Sequence, residues 1–365
     1  MAGKSATPKA EGPVKVAIAG LGRAGWAIHA EALKPRSDFQ VVAAIDQVPE
    51  RRKEAEATFP GCKAYEDWKT FLKEKNGAEL VVIATQSVAH GPMSIEALAA
   101  GLHVLVEKPM AMNTKEADKM IAAAKKAKRI LTIHQNYRAH PEFNHLKHIL
   151  QSGILGRIVL IKNSSVNFAR RNDWQTLRKY GGGTLNNTCP HTIDQCLQLL
   201  GSPVADVWGD LQIGVTAGDA EDHVKVLIRG KNGTVVDMEV TAVCAVKQPQ
   251  YLIQGTLGTL VSDGSEFLIK YLDPAKLKPL KVVETMAVPD RKYGVIGGDQ
   301  LEWQEKRVPI APPEFKLDFY GRLYQSIREG KDLLVTPQSV REVIHTIEWS
   351  RKGTKFPGTV PKGKK

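Results

Sequence analysis

Residues 14–134 predict an α/β fold built on a doubly wound parallel sheet. Three observations carry this. A short apolar run, Val14–Ala19, leads directly into Gly20-Leu21-Gly22-Arg23-Ala24-Gly25. Strand-like and helix-like segments then alternate as far as residue 133. Polar residues suited to ligand contact fall at the ends of the strand-like runs.

Val14–Ala19 has the unbroken apolar character of a strand buried on both faces. The glycines that follow form GxGxxG between a strand and a helix whose Trp26, His29, Ala30 and Leu33 share a face. In that setting the first glycine permits a tight turn. The second admits a pyrophosphate to the backbone, and the third lets helix and strand pack closely. The helix amino terminus offers free N–H groups and partial positive charge to the phosphates. Phe39–Ile45 is a second strand, ending in Asp46, where the ribose-binding acid of a Rossmann domain belongs. A carboxylate there accepts from ribose hydroxyls and repels a 2′-phosphate, favouring NAD over NADP. Arg51 and Arg52 could neutralise that phosphate, and a plain turn residue is the other reading of Asp46.

Strands are expected at 80–84, 104–106 and 130–133, and helices at 90–100 and 115–127. Right-handed crossovers then place Thr85, Gln86, His90, Glu107, Lys108, Pro109 and Asn136 at or near the carboxyl ends, where such sheets bind ligands.

The composition is that of a globular protein, with 42% apolar and 25% charged residues. No apolar run approaches the roughly 18 residues of a membrane span. Residues 1–13 lack a secretory h-region and predict a disordered tail, and 353–365 a basic one. Four cysteines without CxxC spacing point to a reducing, cytoplasmic setting. The net charge of +12 raises nucleic-acid binding, but the basic residues are scattered and not interleaved with aromatics. Neither nucleic acid nor membrane is expected as a partner.

At Glu107-Lys108-Pro109, about 80 residues past the glycine turn, the chain resembles the glucose–fructose oxidoreductase / inositol dehydrogenase / rhizopine-catabolism (Gfo/Idh/MocA) family. The resemblance spans about Val14 to about Arg351. It rests also on Asp46, Thr85 with His90, Asn136 with Arg138, and Gly181-Gly182-Gly183 followed by His191 and Asp194. It implies a second domain, 135–352, of α+β type with a large, mostly antiparallel open sheet for substrate binding and oligomerisation. The residues support this independently. Val236, Met238, Val240, Ala242, Cys244 and Val246 form one apolar face at period 2. Asn232-Gly233 signals a hairpin to the alternating Val224, Val226 and Ile228. A closing helix is expected at 339–350.

Hydride transfer from a secondary alcohol needs a proton acceptor, a donor that stabilises the developing alkoxide, and alignment with the nicotinamide. Lys108 suits the second role, its backbone held extended by Pro109. His191 suits the first. The resemblance implies that both are catalytic. A strand-capping lysine and a structural histidine are the plainer readings. The family commonly has aspartate four residues before this histidine, and this chain has Asn187, which holds neither proton nor negative charge. Cys189, His191 and Cys196 match no zinc spacing, so no metal is expected. Arg170, Arg171, Asp173, Trp174, Arg178 and Tyr180 suit either a hydroxyl-rich or carboxylate ligand, or a subunit-interface loop.

The expectation is therefore an NAD-dependent dehydrogenase acting on a hydroxyl of a sugar, cyclitol or sugar derivative, assembled as a homodimer or homotetramer. Gly20, Leu21, Gly22, Arg23, Ala24, Gly25, Asp46, Thr85, His90, Glu107, Lys108 and Asn136 would hold the cofactor. Lys108, Arg170, Trp174, Asn187 and His191 would hold the substrate. A redox-neutral glycoside-cleaving cycle and a non-catalytic ligand sensor are the alternatives. Keeping Lys108 and His191 argues against the sensor, and Asn187 argues slightly for it.

Overall fold

The computed structural model describes residues 12–282, 284 and 301–356. The two expected tails lie outside them apart from residues 12–13 and 353–356.

Six parallel strands form the first sheet: β1 (Val14–Ala19), β2 (Phe39–Ile45), β3 (Lys63–Tyr65), β4 (Leu80–Ile83), β5 (His103–Val106) and β6 (Leu131–Ile133). Their order is β3-β2-β1-β4-β5-β6. The apolar runs are buried throughout, Val16, Ile18, Val81, Val82 and Leu105 among them. The crossovers are a wide π-turn (Gly25–Ala30) continued by α1 (Glu31–Leu33), then α2 (Pro49–Thr58), α3 (Trp68–Glu74), α4 (Ser87–Ala99) and α5 (Thr114–Ala127). The Asn113 side chain caps α5, accepting from Glu116 N–H at 2.8 Å. Strand order reverses between β1 and β4, so the crevice opens at their carboxyl ends. Helix α4 begins at Ser87 rather than at residue 90. Segments β3, α2 and α3 carry little periodic signal: β3 is three residues long, and α2 buries only Ala55.

After α6 (Pro141–Gln151) the chain builds an eight-stranded sheet. Its strands are β7 (Ile158–Val166), β8 (Val204–Gln212), β9 (His223–Gly230), β10 (Val235–Thr241), β11 (Tyr251–Gly255), β12 (Gly258–Asp263), β13 (Glu266–Leu272) and β14 (Trp303–Pro309). The order is β14-β13-β12-β11-β7-β10-β9-β8, antiparallel except between β7 and β10. The Asn232-Gly233 hairpin forms as expected, with Gly233 at φ +84°. Val236, Met238 and Val240 lie opposite Ile228, Val226 and Val224, all buried. Each such side chain contributes roughly 1.5–3 kcal/mol by leaving water. Helices α7 (Thr184–Asn187) and α8 (Cys189–Leu200) precede β8; α8 covers this buried face together with α10 (Pro337–Ser350).

The apolar face expected over 236–246 is shorter than its pattern. β10 ends at Thr241, because its partner β9 begins at His223 and only a single bridge, Phe168 to Val243, continues the pairing. Just before β9, the Asp222 carboxylate turns away to accept from the N–H groups of Gly214, Val215 and Thr216. Val246 is consequently three-quarters exposed.

The chain then returns to the first sheet. Helix α9 (Phe319–Glu329) packs Tyr320 and Tyr324 edge-on against Phe39. Arg36 bonds Asp318, and Arg328 bonds Glu79 through both oxygens at 2.7 and 2.8 Å. Helix α10 packs on α5 as well as on the second sheet. The segment 135–352 thus contributes two helices to the flank of the first sheet. Among the described residues no helix is long and apolar enough to cross a membrane.

Candidate active site

The carboxyl ends of β1, β2, β4 and β5 enclose a cavity of about 940 Å³, bounded across the crevice by Asp173, Trp174, Gln175 and Asn187. That lies at the upper end of the range for cofactor pockets.

The glycine turn has three different constraints. Gly20 has φ +89°, and a Cβ there would lie 2.7 Å from the Ala84 carbonyl oxygen. At Gly25 a Cβ would lie 1.7 Å from the Gly20 oxygen, so only glycine lets the helix start against the turn. At Gly22 a Cβ would meet no protein atom within 4 Å. The protein leaves room there, as a phosphate group approaching the backbone requires. No side chain caps the helix that begins here. Gly20, Arg23 and Ala24 line the cavity, while the Leu21 side chain is buried beneath it.

Asp46 stands on the wall with both oxygens engaged. Leu21 N–H donates to Oδ2 at 2.7 Å and Val48 N–H to Oδ1 at 2.9 Å. The carboxylate is therefore fixed at the end of β2, with lone pairs left for a ribose. Arg52 is tied back to the carbonyls of Asp46 and Gln47 and to Glu66. Arg51, half-exposed and 3.4 Å from Asp46, is the arginine placed to meet a 2′-phosphate.

Thr85 and His90 reach the cavity wall, but His90 is committed to backbone. Its Nδ1 lies 2.8 Å from the Pro109 oxygen and its Nε2 3.2 Å from that of Thr85. Burial lowers its pKa, so a neutral ring donates one bond, to Pro109, and holds α4 to the end of β5. Asn136 opens a short turn (Asn136–Ala139) and Arg170 is exposed; neither lines the cavity.

Glu107 is almost wholly buried yet ionised. His134 Nδ1–H donates to Oε1 at 2.8 Å, His29 Nε2–H to the same oxygen at 3.0 Å, and Lys108 N–H to Oε2 at 3.1 Å. Burial alone would raise its pKa, but these two histidines hold it well below the usual carboxylate range. Burial lowers the His29 pKa and keeps that ring neutral, and the Tyr320 hydroxyl donates to its Nδ1 at 2.6 Å. The ligand atoms of His29, Glu107 and His134 lie within 4.8 Å of one another, a spacing open to a metal ion. Each nevertheless already serves a hydrogen bond inside the group.

Lys108, joined to Pro109 by a cis peptide bond, projects into the cavity and donates from Nζ to the Asn187 carbonyl oxygen at 2.8 Å. Burial lowers its pKa, and the charges of Arg23 and Arg171 lower it further. The Asn187 side chain turns away and donates to the Gln175 carbonyl. One turn further on, His191 lies outside the cavity wall as it stands, yet close enough that Lys108 is the largest charge acting on it. Burial first, and Lys108 second, push its pKa down to about 3. Asp194 does not serve His191: Arg138 holds it through both oxygens at 2.8 and 2.5 Å. The sequence reading missed Gln135 and Tyr137, which contact the His191 ring, and Trp68, Met93 and Gln175 on the wall. These side chains belong to no motif. Gln135, Tyr137 and Trp68 do follow strand ends, whereas Met93 lies within α4 and Gln175 in a short turn.

Residues 14–135 match the profile of an oxidoreductase family with an NAD-binding Rossmann fold, and residues 143–261 match the GFO/IDH/MocA C-terminal domain. The chain is 30% identical over 257 residues to myo-inositol 2-dehydrogenase of Thermotoga maritima, covering 68% of this chain and 75% of that protein. It is 25% identical to the Bacillus subtilis scyllo-inositol 2-dehydrogenase (NADP(+)) IolW, over 95% of each. Among solved structures, GenD2 from gentamicin A biosynthesis, in complex with NAD, superposes with a TM-score of 0.73 at 22% identity, covering 97% of this chain and 98% of that one.

Two outcomes are expected from this geometry. Gly25→Ala should destabilise the fold by on the order of 3 kcal/mol, because backbone oxygen occupies the methyl position. Gly22→Ala should leave the urea midpoint nearly unchanged and weaken dinucleotide binding at least tenfold by fluorescence titration. Equal stability losses in the two variants would contradict the assignment of the cradle.

Acid should also unfold the protein early. Burial depresses His29, His90, His103 (to about 4) and His191 (to about 3) below the ordinary value of 6.5. The unfolded chain takes up these protons first as pH falls, so stability is complete above pH 6.5 and is lost below it. His103 and His191 each remove roughly 1.4 kcal/mol per pH unit between 6.5 and about 4, and His29 and His90 act in the same direction. The urea midpoint should fall steadily from pH 6.5 to 4; a flat profile would show these rings to be accessible.

Proposed function

This chain belongs to the Gfo/Idh/MocA family of oxidoreductases, and from that premise we propose that it transfers a hydride between NAD and a secondary hydroxyl or ketone of a cyclitol, sugar or sugar derivative. One observation carries the reading. The partly buried Lys108 ammonium meets the α7–α8 segment bearing Asn187 and His191 at the carboxyl end of β5. The redox chemistry would come from the nicotinamide of a bound dinucleotide, held by the glycine turn and Asp46.

The protein's part is position and charge. Lys108 exchanges the Asn187 carbonyl for the reacting oxygen and stabilises negative charge as it develops there. His191 accepts the hydroxyl proton. The nearest acid acting on either group is Glu107, through its charge and not through a hydrogen bond to their side chains. Trp174, on the wall and partly exposed, offers an apolar face to a ring substrate. Asp46 supports NAD over NADP, although one near-full-length relative is named for NADP(+). Inositols and related cyclitols head the substrate panel because two of the relatives are named for them.

Purified protein should develop reduced-nicotinamide absorbance with NAD and a member of that panel. His191→Ala and Lys108→Ala should each lower kcat by at least 100-fold while leaving NAD binding within a few-fold. Asp46→Ala should narrow the preference for NAD. Cleavage of a glycoside without net reduction would replace this reading with the redox-neutral one. Ligand binding without turnover would replace it with the sensor.

We also propose assembly through the uncovered face of the second sheet. Trp208, Leu227, Asp237, Lys162, Leu252, Val261 and Leu268 stand side by side across it. Trp208 is 56% exposed, and Lys225 bridges Asp237 and Glu239 in the adjoining rows. Light scattering should report a dimer or tetramer; a stable 40.1 kDa monomer at micromolar concentration would overturn this.

A further inference from the structure

The His191 ring is held from two sides by one short segment. Its Nδ1 lies 2.8 Å from Gln135 Oε1. The orientation of that amide is set by its other end, since Gln135 Nε2–H donates to the Pro190 carbonyl oxygen at 3.1 Å. A carbonyl only accepts, so the amide oxygen is the atom that faces the ring. An amide oxygen also only accepts, so the hydrogen of this bond must come from Nδ1. Tyr137 stacks on the ring face at 4.5 Å between centroids and 21° between planes. Gln135 is 1% exposed and cannot swing out to water. The paired bonds from Arg138 to Asp194 fasten the whole segment to α8.

We propose that Gln135 is a positioning residue, which fixes the Nδ1–H tautomer of His191 and leaves Nε2 as the lone pair that meets the substrate proton. The inference rests on His191 being the proton acceptor and deepens that reading. The amide orients the imidazole as a carboxylate would, without the charge that would favour imidazolium. The other groups acting on the ring are Lys108 and Glu107 at the end of β5, His134 after β6, and His140 beyond the turn. None of them is hydrogen-bonded to His191. The pairing therefore yields an oriented but weakly basic acceptor, suited to a site where Lys108 carries the positive charge.

The test uses the full-length protein labelled with 15N at histidine, without substrate, with the His191 signals assigned from His191→Ala. Wild type should show a protonated Nδ1 and an unprotonated Nε2, unchanged from pH 8 to pH 5. Gln135→Glu keeps the acceptor and adds charge; it should move the His191 titration up by about one to three pH units and carry the acid limb of kcat/KM with it. Gln135→Leu should give mixed tautomers and lower kcat by about 10- to 100-fold with little change in KM. A protonated Nε2 in wild type, or an unmoved titration in Gln135→Glu, would overturn the proposal. Should Gln135→Leu fail to fold, the wild-type and Gln135→Glu spectra decide. The spectra test Gln135 independently of turnover, whereas activity in His191→Ala tests the functional reading beneath it.

Discussion

The site is organised around a single buried negative charge. Glu107 lies at the end of β5, nearly sealed from solvent, where an unpaired carboxylate would be prohibitively unfavourable. It is tolerable because three donors converge on it, two of them from distant parts of the chain. His29 comes from the π-turn after β1, His134 from the end of β6, and the Lys108 N–H from the next residue. Through His29 the arrangement extends to Tyr320 on α9, in the segment that follows the second sheet. One carboxylate thus ties the glycine helix, two strand ends and a returning helix to the residue whose ammonium reaches the cavity.

That arrangement sets the electrostatics of the crevice. The Glu107 carboxylate accepts from the Lys108 N–H, while the charges of Arg23 and Arg171 act on the Lys108 ammonium. Among the described residues no carboxylate bonds the Lys108 ammonium or the His191 ring. Asn187 supplies its backbone carbonyl to Lys108 and its side chain to Gln175. Asp194 is consumed by Arg138. The result is a lysine cation without a carboxylate partner, set in a wall that elsewhere carries Asp46, Glu66, Asp67 and Asp173. A cation so placed suits an oxygen gaining negative charge.

The two halves of the molecule differ in how visibly they are written. The first sheet was legible because parallel strands buried on both faces read as continuous apolar runs, and the glycine turn occurs in the one context that gives it meaning. Segments with little buried surface, such as β3 and α2, left no such trace. The run beyond Thr241 misled for the complementary reason: alternation records which side chains can face a core, not whether a partner strand continues beside them.

The sequence by itself determined the strand–glycine–helix cradle, the acid at the end of β2, and the lysine at the end of β5, because each is a local consequence of a strand ending where it does. Tertiary structure alone decided the partners. His90, expected at the cofactor, donates instead to the Pro109 backbone carbonyl. Asn136 and Arg170 fall away from the cavity wall, while Gln135, beside one of them, takes the ring of His191. His29 and Glu107 are 78 positions apart, and Tyr320 is 291 beyond His29. Hydrogen bonds over such separations depend on how whole elements pack, and no periodicity or spacing in the chain encodes that.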